Sequence, residues 1–180
     1  MDKREGLIPT DTPPYQLEGW VKDLSPDARR VLWRNSVEAL AKIHLTPPEK
    51  VAFLHRDEGK GNALADHLAY WKRTYDWAMG DVQIADVDAC WAWLFANIPA
   101  DAPIGLTWGD ARWGNMMFQD LKCTTILDWE DVALASPLLD LGRWLFSNHL
   151  HELTGLPVLE GVGDRSETLA LWEELTGFSA

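Results

Sequence analysis

The sequence predicts an α+β domain, mostly helical, in which a small β unit interrupts a run of helices. Three observations carry this. Before residue 100, apolar residues recur at helical spacing. Between Ile104 and Leu127 the pattern changes to short runs of β-branched and apolar residues. Beyond Ser136 helical spacing returns through Leu138, Leu141, Leu145 and Phe146.

Residues 1–24 read as a connector, because Pro9, Pro13 and Pro14 remove backbone donors and disfavour helix. Ser25-Pro26 opens the first helix, with an N-cap serine and proline at the first helical position. Trp33, Val37, Leu40, Ala41 and His44 fall on one face, and Pro47-Pro48 ends the element. A second helix is expected from about Asn62 to Met79, with Leu64, Leu68, Trp71, Tyr75 and Ala78 as its stripe and Gly80 as C-terminal cap. A third, about 84–98, is expected to bury Val87, Trp91, Leu94 and Ile98. Short strands are expected at 104–107, 115–118 and 123–127, with Gln119-Asp120-Leu121-Lys122 as a hairpin turn. A last short helix begins around Ser166 and carries Leu169, Trp172 and Leu175.

A chain of 180 residues is about one domain, long enough to bury about 70% of the surface its unfolded form exposes. At 47% hydrophobic residues it is globular. Most of its eleven tryptophans are expected in the core, each with an indole N–H that needs a partner. The formal net charge of −12 argues against nucleic acid or an anionic membrane as partner. It suits a cationic substrate, although a solvated acidic surface is the plainer reading. Cys90 and Cys123 do not make a disulfide framework, and without a signal-peptide pattern the expected location is a reducing cytoplasm. No apolar run approaches the ~18 residues of a membrane span.

The chemistry concentrates in Trp108-Gly109-Asp110-Ala111-Arg112-Trp113-Gly114-Asn115 and Ile126-Leu127-Asp128-Trp129-Glu130. Phosphoryl transfer from ATP needs a carboxylate to orient the attacking hydroxyl, and an Asn and a second carboxylate to hold Mg²⁺ against the phosphates. Asp110, Asn115 and Asp128 are residues of those types, on or beside short strands that can meet in one cleft. Arg112 is placed either to stabilise charge on a transferred phosphoryl group or to pair with a neighbouring carboxylate. Glu130 could touch metal through water or meet a cationic substrate, while Asp131 reads as solvated. His44, on an apolar face, reads as a satisfied core histidine. His149 and His151 point to different faces of a helix and make poor metal partners. Asp66, Asp76, Asp86 and Asp88 read as solvated helix faces.

These motifs resemble the catalytic centre of the aminoglycoside phosphotransferase-like family of small-molecule kinases, which includes choline kinase-type enzymes. Its pattern is roughly H-G-D-x-x-x-x-N followed by D-W-E, and it is similar to the H-R-D-L-x-x-x-N and D-F-G arrangement of protein kinases. The core of the match is about 107–145, with looser similarity at Pro13-Pro14-Tyr15, Gly19-Trp20 and Glu174-Leu175-Thr176-Gly177. Ser136-Pro137-Leu138-Leu139-Asp140-Leu141 is similar to the family's D-P-x-x-D-L-A segment.

The resemblance implies a protein-kinase-like C-terminal lobe over 25–180, whose small β unit carries the catalytic loop. It implies ATP as co-substrate, Mg²⁺ as metal, and a small-molecule hydroxyl as acceptor. That acceptor would be an aminoglycoside, a choline-like amine, a sugar or a hydroxyacyl compound. Asp110 is then the catalytic base, Asn115 and Asp128 the magnesium ligands, and Asp140 the brace of the catalytic loop. Trp108 stands where the family has histidine, so no imidazole braces the loop from there.

No V-A-I-K-like strand lysine precedes residue 108, and neither Gly59-Lys60-Gly61 nor Gly161-Val162-Gly163 matches a phosphate loop. Both read as turns. The expectation is therefore a nucleotide-binding N-terminal lobe that is absent or separate, with the isolated chain inactive. The rival expectation is a non-catalytic module, truncated or partner-binding, derived from that family.

Overall fold

The computed structural model describes residues 3–180. Its helices are α1 (Trp20–Asp23), α2 (Pro26–His44), α3 (Ala63–Met79), α4 (Ala85–Ala96), α5 (Pro137–Leu153) and α6 (Arg165–Thr176). Between α4 and α5 lie β1 (Gly105–Thr107), β2 (Met116–Gln119), β3 (Lys122–Ile126) and β4 (Ala133–Ala135).

Local chemistry explains the helix ends. The Ser25 hydroxyl accepts the Ala28 N–H, with Pro26 at the first helical position. Asn62 caps α3 by accepting from Ala65 N–H. In α6 the cap is Asp164, earlier than the expected start at Ser166, and Glu167 completes a reciprocal capping box.

The strands form two separate antiparallel pairs. Met116 faces Ile126 and Gln119 faces Lys122 in the β2–β3 hairpin. Its turn residues Asp120 and Leu121 have φ of 48° and 64°, the left-handed pair that a two-residue hairpin turn requires. β1 pairs with β4, Gly105 facing Ala135 and Thr107 facing Ala133. β4 was not expected: three residues are too short a run to stand out, and its partner lies across the whole catalytic segment.

The segment expected as a connector is docked. Leu7 and Phe118 exchange two backbone hydrogen bonds of 2.8 Å, which adds a bridge to β2. Tyr15 and Val21 are buried in the core. That core joins Leu32, Trp33, Val37 and Leu40 of α2 to Leu141 and Trp144 of α5, Leu171 and Trp172 of α6, and the hairpin.

Three expectations are corrected. Asp66 is 2% exposed and not solvated; it accepts the Glu58 and Lys60 N–H groups at 3.0 and 2.8 Å and contacts His55. Those bonds, Lys60's first, hold its carboxyl below the usual range despite burial. The α4 stripe is only half-buried, and no residue of that helix is fully covered. Of the tryptophans, 33, 108, 113, 144 and 172 are buried, whereas Trp77 and Trp93 are 83% and 62% exposed. No helix among the described residues is long and apolar enough to cross a membrane.

Candidate active site

The site is assembled where β1 ends and α5 begins. Ser136 caps α5 through the Leu138 N–H, and this places Asp140 in the first helical turn, fully buried. Its Oδ2 accepts the Trp108 N–H at 2.6 Å and its Oδ1 accepts the Gly109 N–H at 2.7 Å. Gly109 has φ of 105°, and a Cβ there would overlap the Asp131 side chain, so glycine is required. Asp131 itself is half-buried against this turn.

Beyond the turn, Asp110 is held from three sides. Its Oδ2 accepts Arg112 Nε at 2.7 Å and Asn115 Nδ2 at 2.8 Å. Its Oδ1 accepts Arg143 Nε at 3.1 Å, with Arg143 Nη2 at 2.9 Å. Burial alone would raise the Asp110 carboxyl, but the Arg112 hydrogen bond and charge, the Arg143 charge and the Asn115 amide together hold it below the usual range. The group is therefore held as a carboxylate and is a weak base in its own right. Arg112 also pairs with Asp11, so both its carboxylate contacts are made within the chain.

Asn115 ends a 3₁₀ turn, Trp113–Asn115. Its amide nitrogen is committed to Asp110, both to the carboxylate and, at 3.2 Å, to the backbone oxygen. Its own backbone oxygen accepts the Leu127 N–H at 2.9 Å, which places Asn115 and Asp128 at the same end of the hairpin. Asp128 is exposed and has a left-handed φ of 59°. Trp108 bridges the two segments: its indole N–H donates to the Leu127 and Asp128 oxygens at 2.8 and 3.0 Å. The indole thus does from position 108 the bracing expected to be lost with the histidine. Glu130 is exposed in the loop before β4.

An imidazole does brace the loop, from elsewhere. His44 is buried, contacts Asp140 Oδ2 through Nε2 at 3.1 Å, and accepts the Trp172 indole N–H on Nδ1 at 2.8 Å. It is the satisfied core histidine read from sequence. Arg143, Asp11 and the His44–Asp140 contact were not read there. Arg143 had a signal: it lies three residues after Asp140, on the same helix face, so it must approach the same loop.

Asp110, Arg112, Trp113, Arg143, Trp144 and Ser147 border a cavity of about 430 Å³ between the catalytic loop and α5. Asn115 and Asp128 do not line it. Among the described residues no three His, Cys, Asp or Glu side chains form a metal cage. The available oxygens are the Asn115 side-chain carbonyl, whose amide nitrogen alone is committed, and the exposed Asp128 carboxylate. Hard oxygen donors of this kind suit Mg²⁺, which takes one or two protein ligands beside phosphate and water.

A carboxylate is thus fixed beside an asparagine on a loop that a buried helix aspartate braces. The chain belongs to the phosphotransferase enzyme family, whose sequence profile matches residues 11–178. It is similar in structure to a Ralstonia eutropha JMP134 protein assigned as an aminoglycoside phosphotransferase, with a TM-score of 0.70 and 24% identity over 87% of this chain and 50% of that one. It is also similar to APH(2")-IIa in its ternary complex with streptomycin and ATP, with a TM-score of 0.55 and 14% identity over 100% of this chain and 56% of that one. The chain thus spans about half the length of these structures.

Proposed function

We infer that the chain is the substrate-side catalytic lobe of an ATP- and Mg²⁺-dependent phosphotransferase that acts on a hydroxyl of a small molecule. The observation that carries this is the Asp110 carboxylate, charged and oriented by Arg112, Asn115 and Arg143 at the edge of a cavity large enough for a small molecule. Asp110 accepts and orients the hydroxyl proton. Asn115 and Asp128 would hold the metal through their side-chain oxygens, and Glu130, nearby in sequence, would meet metal-bound water or the substrate. Arg112, besides positioning Asp110, offers positive charge close to the transferred group. Asp140 keeps the loop in register. Mg²⁺, when bound, neutralises charge on the phosphates. The protein's contribution is positioning and electrostatics, with no covalent intermediate. An N-terminal lobe, covalent or separate, supplies the remaining nucleotide contacts, which fits the half-length coverage. The expected setting is the cytoplasm.

The test is ATP-dependent phosphoryl transfer to a panel of hydroxyl compounds by a fusion of this chain to the first lobe of the Ralstonia relative. Transfer is expected, and Asp110→Asn should lower it at least ~100-fold. Transfer undiminished by Asp110→Asn would overturn the site. A folded fusion that transfers to none of the panel would favour the second reading, a non-catalytic partner-binding module.

A further inference from the structure

Two carboxylates share the Arg112 guanidinium, and only one of them is on the catalytic loop. Nε donates to Asp110 Oδ2 at 2.7 Å, while Nη1 donates to Asp11 Oδ2. Arg143 directs Nε and Nη2 to the other Asp110 oxygen, at 3.1 and 2.9 Å. A guanidinium beside a single carboxylate favours a two-point pair, with one N–H on each oxygen. Arg112 instead makes one contact with Asp110, and the pull of Asp11 on another of its nitrogens accounts for that.

The local sequence leaves room for this arrangement. A Cβ at Gly114 would overlap both Asp11 Oδ2 and Arg112 Nη1. Glycine there lets the N-terminal segment and the catalytic loop close on each other. The segment is fixed on both sides of Asp11. Leu7 exchanges backbone hydrogen bonds with Phe118, and Tyr15 is buried against Trp113 with ring centroids 5.0 Å apart. Asp11 is thus carried on docked backbone, and it borders the same cavity as Asp110. The Asp110 side chain stays 25% exposed, which leaves it open to an incoming hydroxyl.

We propose that Asp11 is a positioning residue for phosphoryl transfer: it holds Arg112 to a one-point contact with Asp110, so that this carboxylate can still take up the acceptor hydroxyl. The proposal rests on the phosphotransferase reading. In that reaction the hydroxyl oxygen bonds to the γ-phosphorus of ATP, and the bond from that phosphorus to the β,γ-bridging oxygen breaks. ADP leaves, and the hydroxyl proton passes to Asp110 and then to solvent. Without Asp11, Arg112 turns to a two-point pair that covers both Asp110 oxygens and shuts the hydroxyl out. Charge alone predicts the opposite. Asp11 and Asp110 balance Arg112 and Arg143, so loss of one carboxylate leaves an extra positive charge that would draw a phosphoryl group closer.

The first test is a crystal structure of Asp11→Asn in residues 1–180, beside one of the unaltered chain. Asp11 is exposed, so the variant should fold with an unchanged melting temperature. Arg112 should then place an N–H on each Asp110 oxygen; a one-point contact retained in the variant would overturn the proposal. The second test is kinetic, in the fusion to the Ralstonia first lobe, with ATP and the panel compound it phosphorylates fastest. Asp11→Asn should lower kcat at least about tenfold and leave KM for ATP within about threefold. Gly114→Ala, which pushes Asp11 and Arg112 apart without removing charge, should lower kcat in the same way. In an Arg112→Gln background, Asp11→Asn should cost less than about twofold more, because its effect passes through Arg112. A raised kcat, or an equal loss in both backgrounds, would overturn the proposal. A fusion with no transfer at all would count against the phosphotransferase reading, whereas the crystal structures judge the hold of Asp11 on Arg112 without any reaction.

Discussion

Trp172 donates its indole N–H to His44 Nδ1 at 2.8 Å, and so decides which histidine nitrogen faces Asp140. Indole can only donate, so Nδ1 must offer its lone pair and the ring proton sits on Nε2, directed at Asp140 Oδ2. A chain of hydrogen bonds thus runs from α6 through α2 to the catalytic loop.

Breaking that chain should show as lost stability. Asp140→Ala leaves the Trp108 and Gly109 N–H groups without their acceptor, and each buried unmet group costs about 1–3 kcal/mol. The melting temperature should fall by several degrees. A melting curve that overlays wild type would contradict the bracing role. In a double-mutant cycle, His44→Phe and Trp172→Phe should couple by at least ~0.5 kcal/mol.

His67 should make stability depend on pH in a window of its own. It is 9% exposed and receives the Trp71 indole N–H on Nε2 at 3.1 Å. Burial first, and then the Arg56 charge, lowers it to about 4. The unfolded chain, near 6.5, therefore binds the proton more readily than the folded one. Its contribution is complete above about pH 6.5 and is lost as pH falls toward 4, by about 3 kcal/mol in total. Asp66 and Asp110, both lowered below the carboxylate range, act only in more acidic solution. Urea unfolding from pH 7 to 4 should show this fall, and His67→Gln should flatten it; an equal slope in the variant would refute the assignment.

Gly163→Ala should destabilise the fold. A Cβ at 163 would overlap the indole of Trp33, which is itself buried and bonded to Thr168 at 3.2 Å. Overpacking of this kind costs about 1–3 kcal/mol. A variant with the wild-type urea midpoint would show that the α2–α6 contact yields more easily than its packing implies.

Residues 1–180 alone should bind Mg·ATP weakly, with no saturation below about 1 mM. Asp110, Asn115 and Asp128 offer a base and metal ligands, but the described residues include no glycine-rich cradle for the α- and β-phosphates. The two glycine pairs are occupied otherwise: Gly59 and Gly61 flank Lys60, whose N–H caps Asp66, and Gly161 and Gly163 press on Pro26 and Trp33. Micromolar binding by calorimetry would reveal a nucleotide element among these residues.

What the sequence disclosed was local. The Ser25-Pro26 start, the hairpin turn at 120–121 and the apolar face of α2 each depend on neighbours a few residues apart, and each is where the pattern placed it. What it concealed was long-range. His44 meets Asp140 across 96 residues and Arg112 meets Asp11 across 101, pairings that no spacing encodes. Asp66 misled because an acidic residue in a helix's first turn ordinarily faces water; here a preceding loop folds back onto it. α4 misled because its apolar residues lie all round the helix, so periodicity could not indicate a covered side.

The left-handed backbone at Asp128, with φ of 59°, has an evolutionary reading. Glycine adopts that conformation without steric penalty and asparagine does so readily, whereas aspartate tolerates it at some expense. Selection for heat resistance alone would drift toward glycine at this codon, and selection for chemistry would retain the carboxylate. In a randomised library passed through both screens, the residue that survives at 128 records which form of fitness was under pressure.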